Sequence, residues 1–584
     1  MDRTEIQQTP VWTLYEKGRN YHRLTGIYTD TDRNFRFYNG DQWAGVQLGD
    51  GIEPIAHNFI KPIVKYKVAV IHDNLYAASY SSQSYDDPIF ARQSERWCRL
   101  LCGYTARLWE LDKMDDLGRR VTKDAAINGE GIVYVTYDRE KGRPVHERLD
   151  ASDIYYGNEN DDDIQRQPYI LIRRRMAVAN AIDLALSEGV SEELLEYIIG
   201  DSDNSEEAGD AAKQELDDKV TVIYKMYKKD GTVHFSIATR LLTIVEDNDT
   251  GLSLYPVAHF NWEESKGSSR GQGEVKPLIP NQIEVNRTTM RRVLTAKTHS
   301  YPHKVVDKSK ITNPQQLDAV GGTLYAKGNT VDDVRKIVNV IPPAQMSPDV
   351  KLLIDDLINI SRELAGAGDI ATGQINPEDA SGKAILAVQK ASQQPVNEQK
   401  EGYKSWIEDV SKIELEYLIV YAEDGINAPE PYTDPMTGEE SVRMVNVPQR
   451  VLRRLQASVK IDVTPRGTFD KFAQEQTIET LFIQGLLSPE KVGELEIYAK
   501  LLDDDSVAPK QKILEGVSLI KEEQRRIASI EARMQEVSQR AQQFLQGDPE
   551  LQKRQLMAAR QRLGQARTAA GNKSVKSSQA TRIV

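Results

Sequence analysis

Apolar residues at three- and four-residue steps predict two helices near the start of the chain, IAHNFIKPIVKYKVAVIHDNL and FARQSERWCRLLCGYTARLWELDKM. The next runs, GIVYVTYD, DIYYGN and YILIRRRM, are short, β-branched or aromatic, and bounded by Gly, Asn and Asp, which predicts strands. A further helical pattern, ANAIDLALSEGVSEELLEYIIG, leads into DSDNSEEAGDAAKQELDD, an acidic stretch without aromatics that reads as an exposed insertion. Strands resume in VTVIYKMYKKDGTVHFSIATRLLTIVED, where Lys229, Asp230 and Gly231 supply hairpin-turn chemistry. The mixture predicts an α+β fold.

The middle of the chain changes character. From Glu274 to Lys297 the residues Leu278, Ile279, Ile283, Met290, Val293 and Leu294 follow one helical stripe, and Pro277 and Pro280 are expected to confine the regular helix to the residues after them. Tyr301 to Gln345 reads as short strands and turns. Ser347 as N-cap and Pro348 at the first helical position then open a second helix, DVKLLIDDLINISRELAG. Gly366 and Gly368 end it, and after a short polar crossover Asn376, Pro377, Glu378 and Asp379 start a third. That helix runs, with a kink at Pro395, to a face made of Tyr403, Ile407, Val410, Ile413, Tyr417 and Tyr421. At roughly 45 residues it would span about 60 to 70 Å if continuous.

The remainder returns briefly to strands, SVRMVNVP and ASVKIDVTP, and is then helical. Ile513, Val517, Ile520, Gln524, Ile527, Ile530, Met534, Val537, Ala541 and Phe544 alternate steps of three and four, the spacing of a helix packed on neighbouring helices. After Glu550 no acidic residue occurs, while Lys553, Arg554, Arg560, Arg562, Arg567, Lys573, Lys576 and Arg582 make a basic tail.

That tail stands out because the 584 residues carry a formal net charge of -13. A chain so acidic gains no general affinity from neutralising phosphates, so any contact with nucleic acid must be local or loose. Cys98 and Cys102 are four apart, too few for a disulfide framework or a zinc site, and read as buried reduced thiols. No apolar run reaches the roughly 18 to 20 residues of a membrane span, and MDRTEIQQTP lacks the build of a signal peptide, so the expectation is a protein working in solution inside a cell.

Catalytic motifs are scarce. GSSRGQGE has glycines without P-loop spacing. His299 and His303 are four apart but separated by Pro302 and unaccompanied by a carboxylate. Asp161 to Asp163 and Asp503 to Asp505 could suggest a two-metal nuclease, yet consecutive aspartates point in different directions and read as solvated turns. The expectation is a protein that is not an enzyme and needs no cofactor or metal.

Six segments, in order, carry a resemblance. FRFYNGDQW (Phe35 to Trp43), HNFIKPIVKYKVAVI, AAINGEGIVYVTYD, NQIEVNRTTM (Asn281 to Met290), EDASGKAI (Glu378 to Ile385) and GLLSPE (Gly485 to Glu490) resemble elements of the portal, or head-to-tail connector, proteins of tailed bacteriophages. The likeness covers about Asn34 to Lys521; Met1 to Asp32 and the tail beyond Phe544 match nothing in it.

The resemblance implies a portal-type α+β architecture. Residues 1–270 would form an N-terminal segment and wing, 271–299 and 347–366 two stem helices, and 300–346 a clip. Residues 367–376 would be a tunnel loop, 377–475 a long wing helix and wing strands, 476–550 a helical crown or barrel, and 551–584 the basic tail. About twelve copies would close into a ring around double-stranded DNA at one capsid vertex of the virion, after assembly in the host cytoplasm. Terminase and then a head-tail adaptor would dock at the clip, with capsid and scaffolding proteins as further partners and no membrane involved. Asp369, Thr372, Gly373, Gln374 and Asn376 would face the duplex without offering a positive charge. Lys304, Lys308, Lys310, Lys327, Arg335 and Lys336 would give the clip a basic surface for an acidic partner, and Arg554, Arg560, Arg562 and Arg567 would reach packaged DNA. The competing expectations are a metal-dependent DNA-processing enzyme built on the acidic triplets and a different structural protein of the virion.

Overall fold

A computed structural model describes residues 8–48, 52–82, 88–201, 219–300, 394–433, 440–455 and 457–465, together with parts of 304–367 and of 516–561. The chain divides into two compact units, Met1–Arg466 and Gly467–Val584.

The first unit opens on two helices, α1 (Pro10–Thr25) and α2 (Ile27–Asn39). Thr9 caps α1 by accepting from the Trp12 amide, Pro10 occupies the first turn, and Gly26 and Gly40 end the two helices at positive φ. The sequence pattern is assigned no helix before Asp32, although Val11, Trp12, Tyr15 and His22 are all buried on α1. Next come α3 (Ile60–Ile71), β1 (Asn74–Ser82), α4 (Pro88–Leu111) and α5 (Met114–Asn128). The first predicted helix therefore stops at Ile71, and its last residues open an extended strand. β1 pairs antiparallel with the final strand of the unit, from Asn74 opposite Pro465 to Ser82 opposite Ala457. That long-range pairing overrides the helical pattern at Asn74 and Leu75, the two residues of the predicted helix that β1 takes.

The strands β2 (Glu130–Asp138), β3 (Arg143–Leu149), β4 (Ile154–Tyr156) and β5 (Ile170–Ala177) come after α5, then α6 (Val178–Ser187). The expected helix 179–200 breaks at Gly189, φ +82°, and resumes only as a 3-10 segment, Glu192–Tyr197. β6 (Lys219–Lys229), β7 (Thr232–Ala238), β8 (Thr243–Asp249) and β9 (Val257–Asn261) complete this part. Asp230 and Gly231, both at positive φ, make the two-residue turn from β6 to β7. Two antiparallel sheets result, one in the order β3-β2-β9 and one in the order β4-β5-β6-β7-β8. Of the acidic insertion, Asp201 is described and accepts from Arg175 Nη1 at 2.6 Å, and 202–218 lie outside the described residues.

α7 (Val275–Ser300) begins before both of its prolines, which corrects the expected boundary. Pro277 sits in the first turn, where its missing N–H has no partner to lose. Pro280 deletes only a bond to Lys276, and both residues are exposed to water. The short strands β10 (Lys304–Val306) and β11 (Val338–Val340) pair antiparallel, and α8 (Asp349–Leu364) returns the chain. Ser347 Oγ accepts from the Asp349 amide at 3.4 Å, as a helix cap does.

After one 3-10 turn that contains Pro395 (Gln394–Val396), α9 (Asn397–Tyr421) buries Tyr403, Trp406, Ile407, Val410, Ile413 and Tyr417. Tyr403 meets Phe260 edge-on and stacks on Trp406, so the helix is seated on the β3-β2-β9 sheet. The expected start of this helix, at Asn376 to Asp379, lies outside the described residues. The hairpin β12 (Ile426–Thr433) and β13 (Glu440–Val447), the short helix α10 (Gln449–Leu455) and β14 (Ala457–Pro465) close the unit. In the second unit the described residues between 516 and 561 are helical, and Ile520, Ile527, Ile530, Met534 and Val537 of the predicted stripe are exposed. Across the described residues no helix is long and apolar enough to cross a membrane.

Candidate functional site

The α7–α8 hairpin is held at its root by polar contacts. Asn281 Nδ2 donates to Ser361 Oγ at 3.0 Å, and that hydroxyl donates to the Leu357 carbonyl at 2.6 Å. Just ahead of α7, Glu274 accepts from Lys67 Nζ at 2.6 Å and from Trp262 Nε1 at 3.2 Å in a buried position. A buried ion pair contributes little net stability, but it fixes where the helix starts because either group alone would be buried uncompensated.

A second network joins the hairpin to the N-terminal helices. Asn286 Nδ2 donates to Gln42 Oε1 at 2.6 Å, and Gln42 Nε2 donates to the Phe37 carbonyl at 2.8 Å. Asn286 Oδ1 accepts from the His57 amide at 3.0 Å and from Gln282 Nε2 at 3.0 Å. Gln282 also pairs with the backbone on both sides of Asn58, accepting from the Phe59 amide at 3.1 Å and donating to the His57 carbonyl at 2.8 Å. Trp43 Nε1 donates to the Ile55 carbonyl at 2.9 Å. The residues of FRFYNGDQW and NQIEVN, far apart in the chain, therefore meet in one clamp. Beside it a cleft of about 370 Å³ is lined by Phe37, Trp43, Ile283, Arg33 and Arg287 among others.

No family model matches the chain, and no curated protein matches it.

Beyond the clamp, α7 leaves the body of the unit: Leu278, Ile279 and Val285 are buried, whereas Val293 and Leu294 are exposed. On α8, Ile354 and Ser361 are buried while Leu352, Leu353, Ile360 and Leu364 are open to solvent, Leu364 to 77%. Leu353, Leu357, Ile360 and Leu364 form a second seam that the Ile354 and Ser361 face does not include, and of these Leu357 is half-buried against the core while the other three are exposed.

Between the two helices, β10 and β11 and an Ile311–Ala326 bridge form the small module expected there. Asn313 braces it, accepting from the Tyr325 amide and donating to the Thr323 carbonyl, both at 2.8 Å. Lys304, Lys310 and Lys327 are exposed on it, and Lys310 lies 3.5 Å from Asp307, which offsets part of the expected basic character. Lys308, Arg335 and Lys336 lie outside the described residues, as do Asp369, Thr372, Gly373, Gln374 and Asn376. Arg554 and Arg560 are exposed and helical; Arg562 and Arg567 lie outside the described residues.

The buried titratable groups are occupied by one another. Arg270 donates to Glu130, to Glu159 at 3.0 Å, to the Ala151 and Ile154 carbonyls, and approaches His22 Nε2 at 2.8 Å. Burial holds His22 down at about 4. Although burial opposes it, the Arg270 charge draws Glu159 down to about 2. His146 lies between Asp112, 3.2 Å from Nδ1, and Glu414, 2.7 Å from Nε2; burial disfavours its charge, but the two carboxylates outweigh burial and raise it to about 9. These clusters tie α1, the sheets, α4 and α9 together, and their charges are spent on one another.

Asp161 and Asp163 lie in a turn where Arg166 pairs with both, at 3.0 and 3.1 Å. Among the described residues no group of three or more His, Cys, Asp or Glu is placed to hold a metal ion. Asp503 to Asp505 and His303 lie outside them, and His299 is exposed near the end of α7. Burial pushes the Cys98 thiol up to about 11, and Cys102 Sγ accepts from the Tyr80 amide at 3.4 Å.

Proposed function

We propose that this chain is a portal protein: copies close into a ring at one capsid vertex, and double-stranded DNA enters and leaves through the lumen. The observation that carries the reading is the helical hairpin. It is rooted in an α+β body by a buried amide clamp, holds a small mixed module between its two helices, and has apolar side chains along both helices that the described residues leave exposed. A closed ring uses two different surfaces on each copy, which suits a hairpin with two unlike exposed edges.

On this reading the segment after Gly366 is the tunnel loop. Gly366 ends α8 at φ +65°, and the Ala367 amide donates back to the Arg362 carbonyl at 2.8 Å, turning the chain sharply away from the helix. Asp369, Thr372, Gln374 and Asn376 bring no cation to the lumen. Low attraction is what a conduit requires, since each phosphate neutralised by Lys or Arg releases counterions and adds affinity. The module on the hairpin would receive terminase during packaging and an adaptor afterwards, with Lys304, Lys310 and Lys327 facing an acidic partner.

Negative-stain imaging of the purified chain tests the reading. It predicts annular particles with a stain-filled centre; compact particles without one would remove it. Charge reversal at Lys327 and Arg335 is expected to weaken terminase binding, and undiminished binding would remove that role for the module.

A further inference from the structure

The two helices of the hairpin differ in charge where they are exposed. On α7, Met290 is half-buried and Leu294 exposed, and Arg287 and Arg291 are exposed beside them. The carboxylate nearest to Arg291 among the described ion pairs is Glu284, 3.8 Å away on the same helix. On α8, Leu353, Leu357, Ile360 and Leu364 follow steps of four, three and four, and Asp349, Asp356 and Glu363, each seven residues apart, run along one flank of that seam. This is the layout of a coiled-coil seam with acidic flanking positions, which is best met by a helix with an apolar stripe and basic flanks. Ile354 and Ser361 are buried and Leu357 packs half-buried against the core, whereas Leu353, Ile360 and Leu364 of the seam are left open by the described residues.

From these two edges we infer that the exposed seam of α8 docks on the Met290 and Leu294 edge of α7 in a second copy, with Asp356 and Glu363 beside Arg287 and Arg291. The two edges belong to the same chain, and they are complementary rather than identical. The contact is therefore head-to-tail: the α8 edge of each copy meets the α7 edge of the next, and the series either closes or continues. The apolar residues supply the area and the charges fix register and partner. This inference rests on the ring proposed above and names the surfaces that build it.

Charge swaps on the full-length chain test it, read by mass photometry and by sedimentation. Arg287→Glu with Arg291→Glu, and separately Asp356→Lys with Glu363→Lys, should each weaken self-association by roughly tenfold or more, since like charges then face each other across the contact. All four positions are exposed, so each variant should keep the far-ultraviolet circular dichroism and melting temperature of a folded monomer. Mixing the two variants should restore assemblies containing both chains, because contacts between unlike chains can then join like-signed edges to their opposites. A single chain with all four changes should also assemble. If the wild type assembles but either variant assembles equally well, or if neither mixing nor the fourfold variant rescues assembly, this inference is wrong while the ring stands. A wild type that remains monomeric overturns both.

Discussion

Asn286 on α7 donates to Gln42 at 2.6 Å, although 244 positions separate them in the chain. The same amide accepts from the His57 backbone and from Gln282. Truncating it orphans several buried polar groups at once, and each unsatisfied partner costs about 1 to 3 kcal/mol. Asn286→Ala is expected to destabilise the first unit by about 2 to 4 kcal/mol in urea unfolding, with Asn286→Asp also destabilising because it removes the donor to Gln42.

The glycines of GSSRGQGE have a structural use. A Cβ on Gly129 would lie 2.3 Å from the Gly271 carbonyl oxygen, one on Gly271 would lie 2.6 Å from that of Gly129, and one on Gly273 would lie 2.7 Å from that of Ile127. Gly129 also holds φ +108°. The Trp262 amide donates to the Gly129 carbonyl and the Glu274 amide to the Ala126 carbonyl, both at 2.8 Å, so backbone meets backbone and no side chain can yield. Gly129→Ala should cost about 3 kcal/mol or more, combining left-handed strain with overpacking, and appear as a lowered melting temperature or loss of folded protein.

His146 makes stability depend on pH on the alkaline side. Its folded value of about 9 lies above the ordinary 6.5, so the folded state binds the proton more tightly. The contribution is complete below pH 6.5 and is lost as pH rises through about 9. His146→Gln should remove that alkaline slope. The imidazole of the wild type should titrate by NMR with a midpoint near 9.

His22 acts in the opposite sense. Burial lowers it to about 4, so the unfolded chain takes up a proton at a pH where the folded chain does not. Its contribution is present above pH 6.5 and is lost as pH falls through about 4, and Glu159, held at about 2, extends the loss further into acid. Denaturant midpoints measured between about pH 7 and pH 4 should fall, and His22→Leu should reduce the fall.

Much of the body of the first unit was legible because its periodicity is local. The strands of the wide sheet, the Asp230–Gly231 turn and the buried face of α9 are set by spacing alone. β1 was not, since its partner β14 lies at the other end of the unit and its first two residues, Asn74 and Leu75, end a helical pattern. The clamp was half legible: Gln282 and Asn286 interrupt an apolar stripe four residues apart, which marks a polar pair inside a packed face, but nothing local names Gln42 as its target. The exposure of Leu353 and Ile360 was illegible for a different reason: a seam left open by the chain has the same pattern as one the chain covers itself.

The proposed lumen yields a prediction about charge. Thr372→Lys with Gln374→Lys would place added cations from every copy around the duplex, and counterion release should then raise affinity for double-stranded DNA steeply at low salt. Filter binding across a salt series should give a steeper slope for the variant than for the wild type. Deleting Asp369 to Gln374 should alter DNA retention in packaging assays, and an unchanged result would remove the loop's role.

Mass photometry of the purified full-length chain tests the ring most directly. Copies of 65.9 kDa closing at about twelve should give a dominant species near about 0.8 MDa. A population confined to monomers and dimers at every concentration and salt would contradict it.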